Sequence, residues 1–161
     1  MDRQEQRSAR LEIEALNAEF AYLIDRGRSE DVADLFTEDG SYGRSTGERS
    51  AGRLAIRAAY QQRKARGQRT TRHIFTNLRL TFESDRKAVG QSILTLFAAN
   101  GPPPYVAEPF LVADYDDVYV REDDGCWRYQ SRTVTWLFLQ KDGEVSPLPL
   151  GAAAVGTRER D

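Results

Sequence analysis

One imidazole and one thiol limit what the side chains of this protein can do: His73 and Cys126 are the only residues of their kind. A single cysteine forbids an intrachain disulfide. One histidine with one cysteine supplies too few ligands for a structural zinc or iron–sulfur site and excludes most catalytic zinc sites. Carboxylate sites for Mg²⁺ or Ca²⁺ stay open on composition alone. Acid–base chemistry near neutral pH therefore centres on His73. Its natural partner is Asp25, in the last turn of a predicted helix and beside that helix's apolar stripe, where a carboxylate can lean inward. An acid at a helix C-terminus is electrostatically disfavoured, so its presence calls for a reason. A buried carboxylate accepting the imidazole N–H fixes the tautomer and stabilises the imidazolium, leaving the other ring nitrogen as a general base able to take a proton from carbon or activate water. The alternative on pattern alone is an ordinary strand histidine and a helix-end acid.

The elements that must position this pair follow from hydrophobic periodicity. Residues 11–26 carry Ile13, Leu16, Phe20, Leu23 and Ile24 at helical spacing, which predicts an amphipathic helix ended by Gly27. Ser29-Glu30-Asp31 reads as an N-cap and a carboxylate-rich first turn, with Val32, Leu35 and Phe36 as the apolar face of a short second helix. Glu38-Asp39-Gly40 turns the chain into a short strand around Ser41 and Tyr42, and residues 43–52 show no periodicity. Leu54, Ile56, Ala58, Ala59 and Tyr60 predict a third helix that stops at Gly67.

Beyond Gly67 the period changes to two. Residues 72–83 alternate, placing Ile74, Leu78, Leu80 and Phe82 on one face and His73, Phe75, Asn77, Arg79 and Thr81 on the other. Further strands are predicted at 88–98, 110–121 and 127–139, with turns at 84–87 and at Asp123-Asp124-Gly125. The stretch from Asn100 to Pro109 is a proline-rich loop. Three helices followed by long antiparallel strands predict an α+β fold: a single domain over residues 1–139 whose cone-shaped, curved antiparallel sheet wraps the N-terminal helices. Residues 140–161, rich in Pro, Gly and Ala, read as an arm or flexible tail. The mouth of the cone is a natural pocket. Phe20, Tyr22, Phe75 and Trp136 suggest an apolar, ring-containing ligand, although aromatics at such spacing serve equally as core.

Composition fits this picture. The chain has 161 residues, 40% hydrophobic and 30% charged, with a formal net charge of −2, so one soluble core is expected and no global attraction to nucleic acid or acidic lipid. No apolar run approaches the ~20 residues of a spanning helix. The charged start, Met1 to Arg7, lacks a secretory signal, so the expected location is cytoplasmic, without membrane association. Charge is nevertheless segregated. Residues 49–72 hold eight basic and no acidic residues, and residues 108–124 hold seven acidic residues against Arg121 alone. Complementary blocks of this kind read as a solvated face or as surfaces that meet in an oligomer, in preference to a nucleic-acid footprint. Two literal motifs lack their context. Gly43-Arg44-Ser45-Thr46-Gly47 spells a nucleophile elbow, but no aspartate lies between Ser45 and His73. Gly47 to Gly52 has phosphate-loop glycine spacing, but Arg53 and Leu54 stand where Lys and Ser or Thr are needed.

The runs Phe20-Ala21-Tyr22-Leu23-Ile24-Asp25-Arg26-Gly27, Val32 to Gly40 and Arg72-His73-Ile74-Phe75-Thr76-Asn77 resemble SnoaL-like proteins of the nuclear-transport-factor-2-like superfamily, over roughly residues 10–139. Within it the chain is most similar to the branch holding scytalone dehydratase and hexachlorocyclohexane dehydrochlorinase. There an aspartate at the end of the first helix and a histidine on the following long strand form a catalytic dyad, and Asp25 and His73, 48 residues apart, match them. The resemblance implies a hydrophobic pocket, no metal or other cofactor, a small hydrophobic ligand and a homodimer or homotrimer. The implied activity is that of a dehydratase-like lyase working by β-elimination, with an isomerase, a polyketide-type cyclase or a non-catalytic ligand-binding module as alternatives. It further implies that Tyr42 is a pocket tyrosine that polarises the substrate and Arg132 a pocket arginine near the leaving group. Phe20 replaces a pocket lysine of the dehydrochlorinase, which weighs against dehalogenation. Ile24 replaces a tyrosine of scytalone dehydratase, and that enzyme's second pocket histidine has no counterpart here.

Overall fold

The computed structural model describes residues 1–140 and 150–151. Helix α1 spans Arg3–Asp25 and begins eight residues earlier than the periodicity predicts, because Asp2 and Glu5 form a reciprocal cap: the Asp2 carboxylate accepts the Gln4 and Glu5 N–H groups, and Glu5 accepts the Asp2 N–H. Its buried face is Ala9, Ile13, Leu16, Asn17, Phe20 and Leu23. Gly27, at φ +78°, ends it in a left-handed turn that a side chain would strain. The predicted second helix is a 3₁₀ turn, Ser29–Leu35, which buries Val32 and Ala33. Ser29 does not cap it, and Phe36 has already entered the next strand.

Strand β1 runs Phe36–Arg44, through the predicted Glu38-Asp39-Gly40 turn, and pairs with the short β2, Arg49–Ala51. The aperiodic stretch is thus mostly a hairpin, and Ser45 lies in its turn and not at a strand-to-helix elbow. Helix α2 is Arg53–Ala65. Four long strands follow: β3 Arg69–Phe82, β4 Lys87–Asn100, β5 Leu111–Arg121 and β6 Trp127–Leu139. The sheet order is β2-β1-β6-β5-β4-β3. The β3-to-β6 meander is antiparallel as predicted, but β1 pairs parallel to β6, which makes the sheet mixed. The parallel pair arises because α2 and the meander intervene between the two strands, a crossover no hairpin could supply. Among the described residues the architecture is α+β, three helices packed on a curved, unclosed, mixed six-stranded sheet.

Two irregularities reset which side chains face inward. The β3–β4 register shifts between Thr76 and Arg79, where Asn77 adopts φ +56°. Before this bulge the inward residues are Thr71, His73 and Phe75, and after it Leu78, Leu80 and Phe82. This corrects the uniform alternation expected from sequence: His73 shares the concave face with Leu78, and Ile74 is 45% exposed on the other. A second shift between Val118 and Tyr119 lets both Tyr129 and Arg132 point inward from β6.

Part of the basic block is neutralised by nearby acids. Arg57 pairs with Asp34 at 2.7 Å and Lys64 with Glu30 at 2.7 Å, so the α2 face packs against the acidic 3₁₀ turn. Arg53 reaches Glu38 at 3.5 Å and donates to the Phe36 carbonyl at 2.7 Å. Most of the predicted arm lies outside the described residues. The part within them is anchored: Leu150 packs against the core, and the Gly151 N–H donates to Ser50 Oγ at 3.2 Å. Among the described residues no helix is long and apolar enough to cross a membrane.

Candidate active site

The end of α1 and the start of β3 meet at Asp25. Its Oδ1 accepts from His73 Nδ1 at 2.7 Å and from Thr71 Oγ1 at 2.8 Å, while Oδ2 accepts the His73 backbone N–H at 2.8 Å. These bonds are the reason an acid can end this helix. Burial pushes the Asp25 carboxyl upward, but the bond and charge of His73, the backbone N–H and Thr71 outweigh it and hold the group below its ordinary value. A carboxylate accepts only, so His73 Nδ1 carries the proton and Nε2 is left as the basic nitrogen. The side chains are 9% and 10% exposed, and the imidazole stacks on Phe75 with ring centres 6.5 Å apart.

His73 lines a cavity of about 430 Å³ on the concave face of the sheet. That is within the roughly 300–1,000 Å³ common for small-molecule sites. Part of its wall is apolar: Ile24, Leu94, Leu96, Leu111 and Val134. Three tyrosines, Tyr42, Tyr60 and Tyr115, supply phenols to it. The Tyr42 and Tyr115 hydroxyls are 3.5 Å apart, and Tyr42 stacks on Tyr60 at 6.4 Å. Burial raises all three above the ordinary phenol value, so they remain protonated hydrogen-bond donors. No group of three or more His, Cys, Asp or Glu side chains able to hold a metal occurs among the described residues.

The SnoaL-like domain model matches residues 5–133, most of the chain. The protein belongs to the SnoaL-like family. Solved structures share its fold. A Mycobacterium tuberculosis protein of unknown function is 27% identical with TM-score 0.72, over 89% of this chain and 80% of its own. A candidate scytalone dehydratase from Novosphingobium aromaticivorans is 21% identical with TM-score 0.76, over 93% and 98%. LinA is 19% identical with TM-score 0.73, over 91% and 99%. The last two likenesses concern the fold. No curated protein sequence matches the chain.

In this SnoaL-like protein the six residues selected from sequence fall into three groups. Asp25, His73 and Tyr42 come together at the cavity. Phe20 and Arg132 do not line it. Phe20 is fully buried in the core, edge-on to Phe36, Tyr42, Phe75, Tyr115 and Tyr129. Arg132, also fully buried, is the cross-strand partner of Asp117 and donates to it from Nε at 2.8 Å and Nη2 at 2.7 Å. Its Nη2 donates also to Asn17 Oδ1. Tyr22 is 54% exposed under the Arg26 guanidinium, because two residues on from Phe20 is more than half a helical turn. Reasoning from sequence misses Tyr60, Tyr115 and Thr71, which the fold brings to the same cavity. The alternation of Leu111, Ala113 and Tyr115 along β5 was a usable signal for Tyr115, since it assigns all three to one face.

Proposed function

We propose that this SnoaL-like protein is a cofactor-independent lyase that eliminates water from a small, ring-containing β-hydroxy carbonyl compound. The observation that carries the reading is His73 in the cavity wall with Nδ1 held by Asp25 at 2.7 Å. In the reaction, Nε2 takes the proton from the carbon next to the carbonyl, and the electron pair of that C–H bond becomes the new C=C bond as the β C–O bond breaks. Asp25 stabilises the imidazolium so formed. The Tyr42 and Tyr115 hydroxyls donate to the carbonyl oxygen as it gains negative charge. The Nε2 proton then passes to the departing hydroxide, which leaves as water and restores the base. Apolar walls keep competing solvent out and strengthen each of these interactions.

The test is a panel of cyclic β-hydroxy ketones in D₂O, followed by the absorbance of the conjugated product and by NMR of the substrate. Wild-type protein should form the enone, and His73→Gln should lose about 10²–10⁴-fold of the rate, the range that a general base contributes, while remaining folded by circular dichroism. Equal rates in the two proteins overturn the base assignment. Deuterium entering the α-carbon without enone formation replaces elimination by an isomerase or cyclase reading that uses the same base.

A further inference from the structure

The described lining of the cavity contains four cations, Arg44, Arg63, Lys64 and Arg69, and no carboxylate side chain. Three of the four, Arg44, Lys64 and Arg69, have interactions of their own. Arg44 stacks on Trp136 at 4.7 Å and faces Glu48 at 3.6 Å, and Lys64 is bonded to Glu30 and to the Gly27 carbonyl. Arg63 is different. It has no carboxylate partner among the described residues, and its Nε is buried without a hydrogen bond. Its place in the last turn of α2 suits its charge but not the enclosure of that N–H. The turn at Gly67 brings Arg69, the first residue of β3, to the same cavity, beside Phe110. Burial and then the charge of Arg63 depress Arg69 to about 10. Burial and then Arg66 lower Arg63 as well. Like charges held together in a partly desolvated mouth are stabilised by any anion that arrives there.

We propose that the substrate is an amphipathic anion: its apolar ring body lies against Leu94, Leu96 and Leu111, and an oxyanion group, carboxylate or phosphate, is received by Arg63 with Arg69 adding charge. This deepens the lyase reading and rests on it. It names a substrate class in which the reacting carbons sit at His73 and a separate charged end fixes their orientation.

Three probes test it by calorimetric titration: 1-naphthylacetate, 1-naphthylacetamide and 1-naphthyl phosphate. Wild-type protein should bind one or both anions at least about tenfold more tightly than the amide, an advantage worth ~1.4 kcal/mol and weakened by added salt. The tighter anion identifies the head group. Arg63→Met, which keeps an apolar stem, should abolish the advantage without changing affinity for the amide, and Arg86→Met, at an exposed turn, should leave it intact. Equal binding of acid and amide, retention of the advantage in Arg63→Met, or no binding of any probe overturns the proposal. The same titrations in His73→Gln separate it from the lyase reading. A preserved anion preference there supports the subsite whatever happens to turnover, and a lost preference overturns the subsite alone.

Discussion

Asp25 and Asp117 are both interior carboxylates, and each grips a nitrogen-bearing side chain from a sheet strand. Around Asp117 the bonding is closed: Arg132 donates twice, the Tyr119 hydroxyl donates at 2.7 Å, and Asn17 ties Tyr119 and Tyr129 into the same circuit. The one guanidinium nitrogen left over, Arg132 Nη1, has no hydrogen-bond partner, and the rings of Phe20, Tyr115, Tyr129 and Phe75 surround the group at 4.2–5.1 Å. Burial opposes the charge on Arg132, but Asp117 outweighs it and holds the guanidinium well above its ordinary value. Around Asp25 the circuit is deliberately incomplete in a chemical sense. Its partner keeps one ring nitrogen, and that partner lines a cavity. The same kind of pair is structural where its polar atoms are consumed or walled in, and it is suited to catalysis where one basic atom is left facing space for a substrate.

The contrast breaks most visibly at Arg132. Replacing it with leucine leaves Asp117 buried and unpaired, which costs about 3–5 kcal/mol. At roughly 2–4 °C per kcal/mol for a chain of this size, the melting temperature should fall by roughly 6–20 °C. The double variant Asp117→Leu/Arg132→Leu should recover most of that loss, because the uncompensated charge has gone too. If Arg132→Leu instead melts like wild type and loses turnover, the guanidinium acts on the reacting group and the two pairs are not of different kinds.

Asp25→Asn should give a smaller change in stability and one that depends on pH. Asp25 titrates below its ordinary 3.8 in the folded protein. Its contribution is therefore complete above that value and is lost as pH falls through the lower native one. Asparagine does not titrate, so the difference in unfolding free energy between wild type and variant should shrink on acidification across that window. Denaturant titrations across the acid range measure this. Turnover near neutral pH should fall by about 10²–10⁴-fold, because an amide cannot act as the anionic acceptor that orients Nδ1–H and stabilises the imidazolium. A constant stability difference across the whole range would mean that the carboxylate is not the anion bonded to His73.

Much of this contrast was legible in the sequence, and what was not has a physical cause. Asp25 and His73 stood out because one is an acid where a helix dipole disfavours it and the other is the sole imidazole. The order of the helices and of the four long strands followed from period together with turn and cap residues. The inward set on β3 and β6 did not, because the shift at Asn77 and the one opposite Tyr129 change phase within a strand, and a period-two pattern has no way to show an extra residue. In the sequence Arg132 matches a pocket group and Asp117 belongs to an acidic block, with nothing to join them. Only the register that sets them opposite one another makes them a pair. The parallel contact of β1 with β6 was hidden for the same reason, since it joins segments almost a hundred residues apart.

The smallest expected effect is also the sharpest check on helix phase. Phe20 and Tyr22 are aromatic, two positions apart, and both were selected as ligand contacts, yet one is fully buried and the other more than half exposed. Phe20→Ala removes a ring packed against five others and should cost about 3–5 kcal/mol. Tyr22→Ala removes only an exposed stack under Arg26, at 5.7 Å, worth about 0.5–1 kcal/mol at most. Its melting temperature should therefore move by no more than a few degrees, and its affinity for 1-naphthylacetate should match wild type because the ring points away from the cavity. A several-fold loss of affinity with unchanged melting would require Tyr22 to reach the ligand. That would demand a rotation of the last turn of α1 that also moves Asp25, so the exposed ring reports directly on whether the helix holds its carboxylate where His73 needs it.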